Sequence, residues 1–244
     1  MQNQFDPRTT TGVNAAATTV GVPRAARDAG LRSYMLSVYN YMASGVLLTG
    51  IVALLFANSG LAEQVLQTPL RWLIIFAPLA FVMVMSFGIN RISTGTLQLL
   101  FWAFAAVMGL SMSTVFIAYT GVSIATTFFA VTAAFLGLSL YGYTTKRDLS
   151  GFGTFLIMGV VGILVASLIN LFLQSPAMQL AISAIGVLLF AGLTAYDTQK
   201  IKSMYYHVAG SDMMGKVVIM GALNLYLDFV NMFTFLLQFM GDRR

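Results

Sequence analysis

Seven long apolar runs separated by short polar breaks organise this chain: Tyr34–Ala57, Trp72–Asn90, Gln98–Tyr119, Ser123–Thr144, Gly153–Gln174, Ala177–Gln199 and Val217–Met240. Each is long enough to cross ~30 Å of hydrocarbon as a helix rising ~1.5 Å per residue. Unbroken apolar runs lack the alternation of barrel strands, so the pattern predicts an all-α polytopic membrane protein with seven transmembrane helices. Arg91 to Gly95, Thr120-Gly121-Val122, Lys146-Arg147-Asp148 and Ser175-Pro176 read as tight turns, and Asn58 to Arg71 and Lys200 to Lys216 as longer loops. Such connections imply antiparallel neighbours in one compact bundle. The expected organisation is a transmembrane domain over residues 34–244, preceded by a disordered polar arm over residues 1–33 that turns basic from Arg24 to Arg32.

Composition agrees and narrows the chemistry. The 244 residues are 58% hydrophobic and 9% charged, against roughly 25% charged in a soluble domain. The net charge of +5 does not point to nucleic acid, because the basic residues stand singly or in pairs beside the apolar runs, as topology signals do. With the N-terminus in the cytoplasm, Arg24, Arg27, Arg32, Arg91, Lys146, Arg147, Lys200, Lys202 and Lys216 lie inside, and only Arg71, Arg243 and Arg244 outside. The positive-inside rule therefore predicts N-in and C-out. There is no cysteine and a single histidine, His207, which excludes thiol chemistry and a multi-histidine metal site.

Charge is otherwise kept out of the spans. No Lys, Arg, Asp or Glu occurs between Arg32 and Glu63, between Arg91 and Lys146, or between Asp148 and Asp197. Asp197 and Asp228, inside the last two spans, are the exceptions. An ionised Asp at the centre of a membrane helix costs roughly 2.5–3.5 kcal/mol on insertion scales, so two acids here mark a functional site by default. Gly221, Asn224, Asp228, Asn231 and Gln238 fall on one face of the seventh span, and Leu225, Leu227, Phe229, Met232, Phe233 and Phe235 largely fill the remainder. Ser183, Gly186, Phe190, Thr194 and Asp197 share a face of the sixth. Small and polar faces prefer each other to lipid, so the two stripes are expected to meet and to bring the acids together. Asp197 lies near one end of its run and Asp228 deeper in its own. They come level only if the first turn of the seventh run stands outside the hydrocarbon. Arg91 is the nearest candidate counter-charge, and Asn224 and Asn231 are candidate lining groups.

Two stretches carry a family resemblance: Gly192-Leu193-Thr194-Ala195-Tyr196-Asp197-Thr198-Gln199-Lys200 and Leu225-Tyr226-Leu227-Asp228-Phe229-Val230-Asn231-Met232-Phe233. With Tyr141-Gly142-Tyr143-Thr144-Thr145-Lys146-Arg147-Asp148-Leu149-Ser150 at the inner end of span four, the chain resembles the Bax inhibitor-1 family from about Leu31 onward. It looks most like the bacterial inner-membrane members. The resemblance implies a bundle with the last helix at its centre, and an acid pair, at Asp197 and Asp228, that switches a calcium leak with pH. It also implies a role for an arginine at the inner end of the second span, where Arg91 stands. Some members carry a glutamate midway along that span; here the region around Leu79 and Ala80 is apolar.

The expected function is a pH-sensitive cation leak, calcium being favoured through the resemblance. Two carboxylates a few Å apart cannot easily both ionise in low dielectric, so protons leave such a pair in coupled steps and change the charge at the contact. Asp197 and Asp228 offer four oxygens at most, against about six to eight for Ca²⁺. Any metal held there is weak and transient, and no resident cofactor is expected. The expected partners are the bilayer and cations. A non-transporting regulator that binds other membrane proteins is the main alternative. An intramembrane aspartyl protease would also place Tyr-Asp on one helix and Asp on the next. Such proteases carry Gly-x-Gly-Asp and a later Pro-Ala-Leu, whereas this chain has Leu225-Tyr226-Leu227-Asp228 and no proline after Pro176. The expectation is therefore that the protein is not an enzyme.

Overall fold

A computed structural model describes residues 24–244, with side chains from Arg27 onward. Eight helices follow in order: α1 (Arg24–Asn58), α2 (Leu61–Leu66), α3 (Leu70–Gly88), α4 (Thr94–Ala118), α5 (Gly121–Thr144), α6 (Ser150–Leu173), α7 (Pro176–Val208) and α8 (Met214–Met240). All but the one-and-a-half-turn α2 are long and apolar enough to cross a membrane. They coincide with the seven expected spans.

The helix ends follow local chemistry. Ser93, Thr120 and Ser175 each sit in extended backbone and accept a hydrogen bond from the amide three residues on, those of Thr96, Ser123 and Met178. These side chains satisfy amides that have no intrahelical partner. Pro176 opens α7, where its missing N–H is harmless. The α6–α7 turn uses Gln174 at φ 51°, and Asn170 Oδ1 accepts from Ser175 N at 3.0 Å across it.

Three expectations change. The stretch from Lys200 to Val208 is helical, and only Ala209–Met213 separates α7 from α8. Tyr205 on this extension is buried and supplies the physical reason: its ring packs on Tyr34 with centroids 5.4 Å apart and lies against Gly30. That contact also makes α1 begin at Arg24, ten residues before its apolar run, so residues 24–33 of the expected arm are helical. The remainder of the arm lies outside the described residues. Residues Asn58 to Arg71, read as a loop, contain α2.

The core is the surface of α8. This helix packs on α1, α4, α5 and α7 and buries residues around its whole circumference, from Val217 to Leu237. Phe101 and Phe104 of α4 meet Tyr226 edge-on at 6.4 and 5.2 Å, and Phe128 and Phe135 of α5 meet Phe229 at 5.7 and 5.6 Å. Tyr226 Oη lies 2.6 Å from Thr49 Oγ1, and Thr49 donates to the Ala105 carbonyl at 2.8 Å, which joins α8, α1 and α4. Close approach elsewhere depends on missing side chains. A Cβ on Gly109 would strike Thr49 and Val52 of α1, and one on Gly142 would strike the Ala195 backbone of α7. By contrast α3 packs chiefly on α4, and α6 on α7. Their outward faces carry exposed Leu73, Phe76, Leu79 and Phe87, and Phe155, Met158, Leu164 and Phe172, the apolar belt of a bundle solvated by lipid.

Candidate functional site

Helices α7 and α8 run antiparallel along one continuous seam. At the end where α6 meets α7, Gln179 Nε2 donates to Gln238 Oε1 at 2.8 Å, and Asn170 Nδ2 donates to Gln179 Oε1 at 3.2 Å. Next along the seam, the Phe235 ring fills the space over Gly186 and stacks on Phe190 with centroids 5.9 Å apart. Asp197 and Asp228 come after it, their carboxyl groups within hydrogen-bonding reach of each other. Beyond them Ile201 packs on Gly221.

The two faces named from sequence therefore meet, through Ser183, Gly186, Phe190 and Asp197 on one side and Gly221, Asp228 and Gln238 on the other. Phe235, counted with the filler, belongs to this contact. The depth mismatch disappears because α7 runs on to Val208. Asp197 stands 11 residues from that end, about 16 Å, and Asp228 stands 14 residues from the start of α8, about 21 Å.

Asp228 is 4% exposed, Asp197 half-buried. Among the described residues no hydrogen-bond donor reaches the buried Asp228 Oδ2. Two carboxyl groups can be hydrogen-bonded to each other only while the pair holds a proton. The cation whose charge acts on Asp197 is Lys200, one turn along α7. Arg91 is exposed in the α3–α4 turn. Asn231 donates to the Leu227 carbonyl of its own helix at 2.8 Å, and Asn224 is half-buried. Among the described residues no cluster of three or more acidic or histidine side chains exists to hold a metal, so carboxylate ligation at the pair is limited to its own two groups.

The same stretch of α7 fastens the bundle around the acids. Thr198 donates to Ser139 of α5 at 3.3 Å. Gln199 clamps the α5–α6 turn, donating to the Arg147 carbonyl at 2.8 Å and accepting from Leu149 N at 2.9 Å. In that turn Asp148 accepts from Ser150, which holds its carboxyl below the usual carboxylate range. Lys202 Nζ donates to the Tyr143 carbonyl in the last turn of α5 at 2.6 Å, and Lys216 Nζ to the Ile89 carbonyl that closes α3 at 2.9 Å. Read from sequence as topology charges, these lysines are also caps on helix C-termini, where a cation is favourable.

Seven spanning helices, the last of them buried at the centre with an acid pair on its seam, define a polytopic membrane protein whose polar chemistry is intramembrane. The family described as "Inhibitor of apoptosis-promoting Bax1" matches residues 31–244, and the chain belongs to this Bax inhibitor-1 family. It is 49% identical over 220 residues to "Inner membrane protein YbhL" of Escherichia coli (strain K12), covering 88% of this chain and 94% of that one. An uncharacterised protein of Rickettsia prowazekii is 48% identical over 219 residues, covering 89% and 92%. One of Deinococcus radiodurans is 44% identical over 214 residues, covering 87% and 92%.

Proposed function

We propose that this Bax inhibitor-1 family membrane protein is a pH-sensitive cation leak of a bacterial inner membrane, with the Asp197–Asp228 pair as its switch and calcium as the favoured ion. The observation that carries the reading is the contact of two carboxyl groups inside the bundle, with no arginine or lysine among the described residues paired to Asp228. Such a contact has two charge states. While it holds a proton, the α7–α8 seam is joined. When the proton leaves, like charges face each other at low dielectric, and the seam gains a reason to part and admit water. Carboxylate oxygens then offer a passing hard cation partners too few for tight capture, which suits transit. The Phe190–Phe235 stack is the apolar barrier between the pair and the polar end at Gln179 and Gln238, in the manner of constrictions that gate by dewetting.

The inner-membrane location follows the printed name of the E. coli relative. The N-in, C-out orientation follows from the basic residues gathered at the α7–α8 turn end of the bundle.

The test is ion flux in liposomes holding purified protein, scanned over pH and over calcium, sodium and potassium. The reading expects calcium flux that changes with pH and an apparent affinity in the millimolar range. Absence of flux for every cation between about pH 5 and 8, from folded protein, would put a regulator of other membrane proteins ahead.

A further inference from the structure

Helices α1 and α5 do not close against each other. Between them a cleft runs along the bundle as three recesses of about 380, 450 and 490 Å³. Tyr39 and Leu136 line both the first and the second; Val46, Leu54, Phe128 and Phe229 line both the second and the third. The floor is the T-shaped pair Phe135–Phe229, and Phe229 belongs to the otherwise enclosed central helix. Gly50 sits in the cleft with open space where a Cβ would stand. The walls are almost wholly apolar, and Arg32 closes the first recess beside Tyr143, with Lys202 Nζ 4.8 Å from the Tyr143 ring centroid.

From this we infer that the α1–α5 cleft is a binding site for a diacyl phospholipid with an anionic headgroup. Its phosphate sits at Arg32 and Lys202, and an acyl chain lies over Tyr39, Gly50 and the Phe135–Phe229 floor. Charge complementarity selects the occupant. This end of the bundle carries nine basic residues against the acids Asp28, Asp148 and Asp212, and an anionic headgroup near one cation gains measurable affinity. A second copy of the chain fits the cleft poorly. A twofold axis along the membrane normal sets Arg32 against Arg32 and Arg244 against Arg244, and the aromatic floor stays recessed behind both helices. The occupant reaches α8 at Phe229, next to Asp228, yet the site stands whether or not the protein conducts ions.

Native mass spectrometry of the full chain, released from a mild detergent after equilibration with equal amounts of phosphatidylglycerol and phosphatidylcholine of identical chains, tests the assignment. One phosphatidylglycerol is expected to stay bound in preference to phosphatidylcholine. Arg32→Gln should reduce phosphatidylglycerol retention roughly fivefold and phosphatidylcholine retention less, because the choline charge already offsets that lipid's phosphate. Gly50→Phe fills the cleft from a position with free space and should reduce retention of both lipids. Leu136→Trp, from an exposed position on the facing wall, repeats the block if Gly50→Phe does not fold. Equal retention of the two lipids by the wild type, undiminished retention in the filled variants, or a stable dimer without lipid would each overturn the assignment.

Discussion

Tyr226 of α8 and Thr49 of α1 are joined by a buried hydrogen bond of 2.6 Å, two residues before Asp228 on the central helix. Because Thr49 passes its own proton to the Ala105 carbonyl, Tyr226 must be the donor. Removing the donor and removing the acceptor are then different experiments. Tyr226→Phe loses one buried hydrogen bond, a cost of about 0.5–1.5 kcal/mol, whereas Thr49→Val strands a buried hydroxyl at about 1–3 kcal/mol. The double variant should be less destabilised than the sum of the two. Unfolding of the three variants in detergent, followed by circular dichroism, gives the comparison. Equal and additive losses would mean that the bond does not join the helices.

The acid pair acts as one unit if it shares a proton. Asp197→Asn and Asp228→Asn should each flatten the dependence of flux on pH, and the double variant should resemble either single one. Each amide keeps a hydrogen bond across the seam but removes the second charge state. Independent, additive changes in the pH profile would sink the coupling.

The aromatic barrier predicts a leak. Phe235→Ala empties the space over Gly186, and because Phe235 is half-buried its cost should fall below the ~3–5 kcal/mol of a fully buried phenylalanine. Flux at the pH where the wild type is closed should rise several-fold, and Phe235→Leu should restore most of the closure. A variant that is folded and remains closed would remove the stack from the path.

Lys216 reaches across the fold to the end of α3, so Lys216→Met should cost about 1.5–3 kcal/mol as a charge-assisted bond is lost. The effect should be local, with faster hydrogen exchange in residues 85–93. Uniformly faster exchange would show that the lysine supports the bundle as a whole.

Orientation is open to a direct check. A reporter active only outside the cytoplasm should be active when fused after Arg244 and silent when inserted in the Ala209–Met213 turn. The reverse pattern would remove the N-in, C-out assignment.

The spans, the tight turns between them and the meeting of the two polar stripes are legible in the sequence because period and burial depend on residues near one another in the chain. What was not legible depends on partners far away. Lys216 is 127 residues from Ile89 and Gln199 is 50 from Leu149, so nothing local separates a capping lysine from a topology charge. The helical extension of α7 past Lys200 is the same case: its polar residues read as a loop until Tyr205 finds Tyr34. Phe235 reads in the sequence as part of the apolar remainder of its span because one aromatic among many carries no mark of the glycine that receives it. Arg91 is linked to the acids in the sequence only by its place at a helix end, and in the structure it is exposed in the α3–α4 turn.

The enclosure of α8 bears on biogenesis. This helix emerges from the ribosome after the six spans that precede it, four of which it touches. Until it arrives, α1, α4, α5 and α7 have no common surface to close upon, and Asp197 and Gln179 wait in the bilayer without Asp228 and Gln238. The half-made protein is therefore two groups of helices, α1 with α3 and α4 and α7 with α5 and α6, exposed to membrane quality control until insertion of α8 joins them into a bundle.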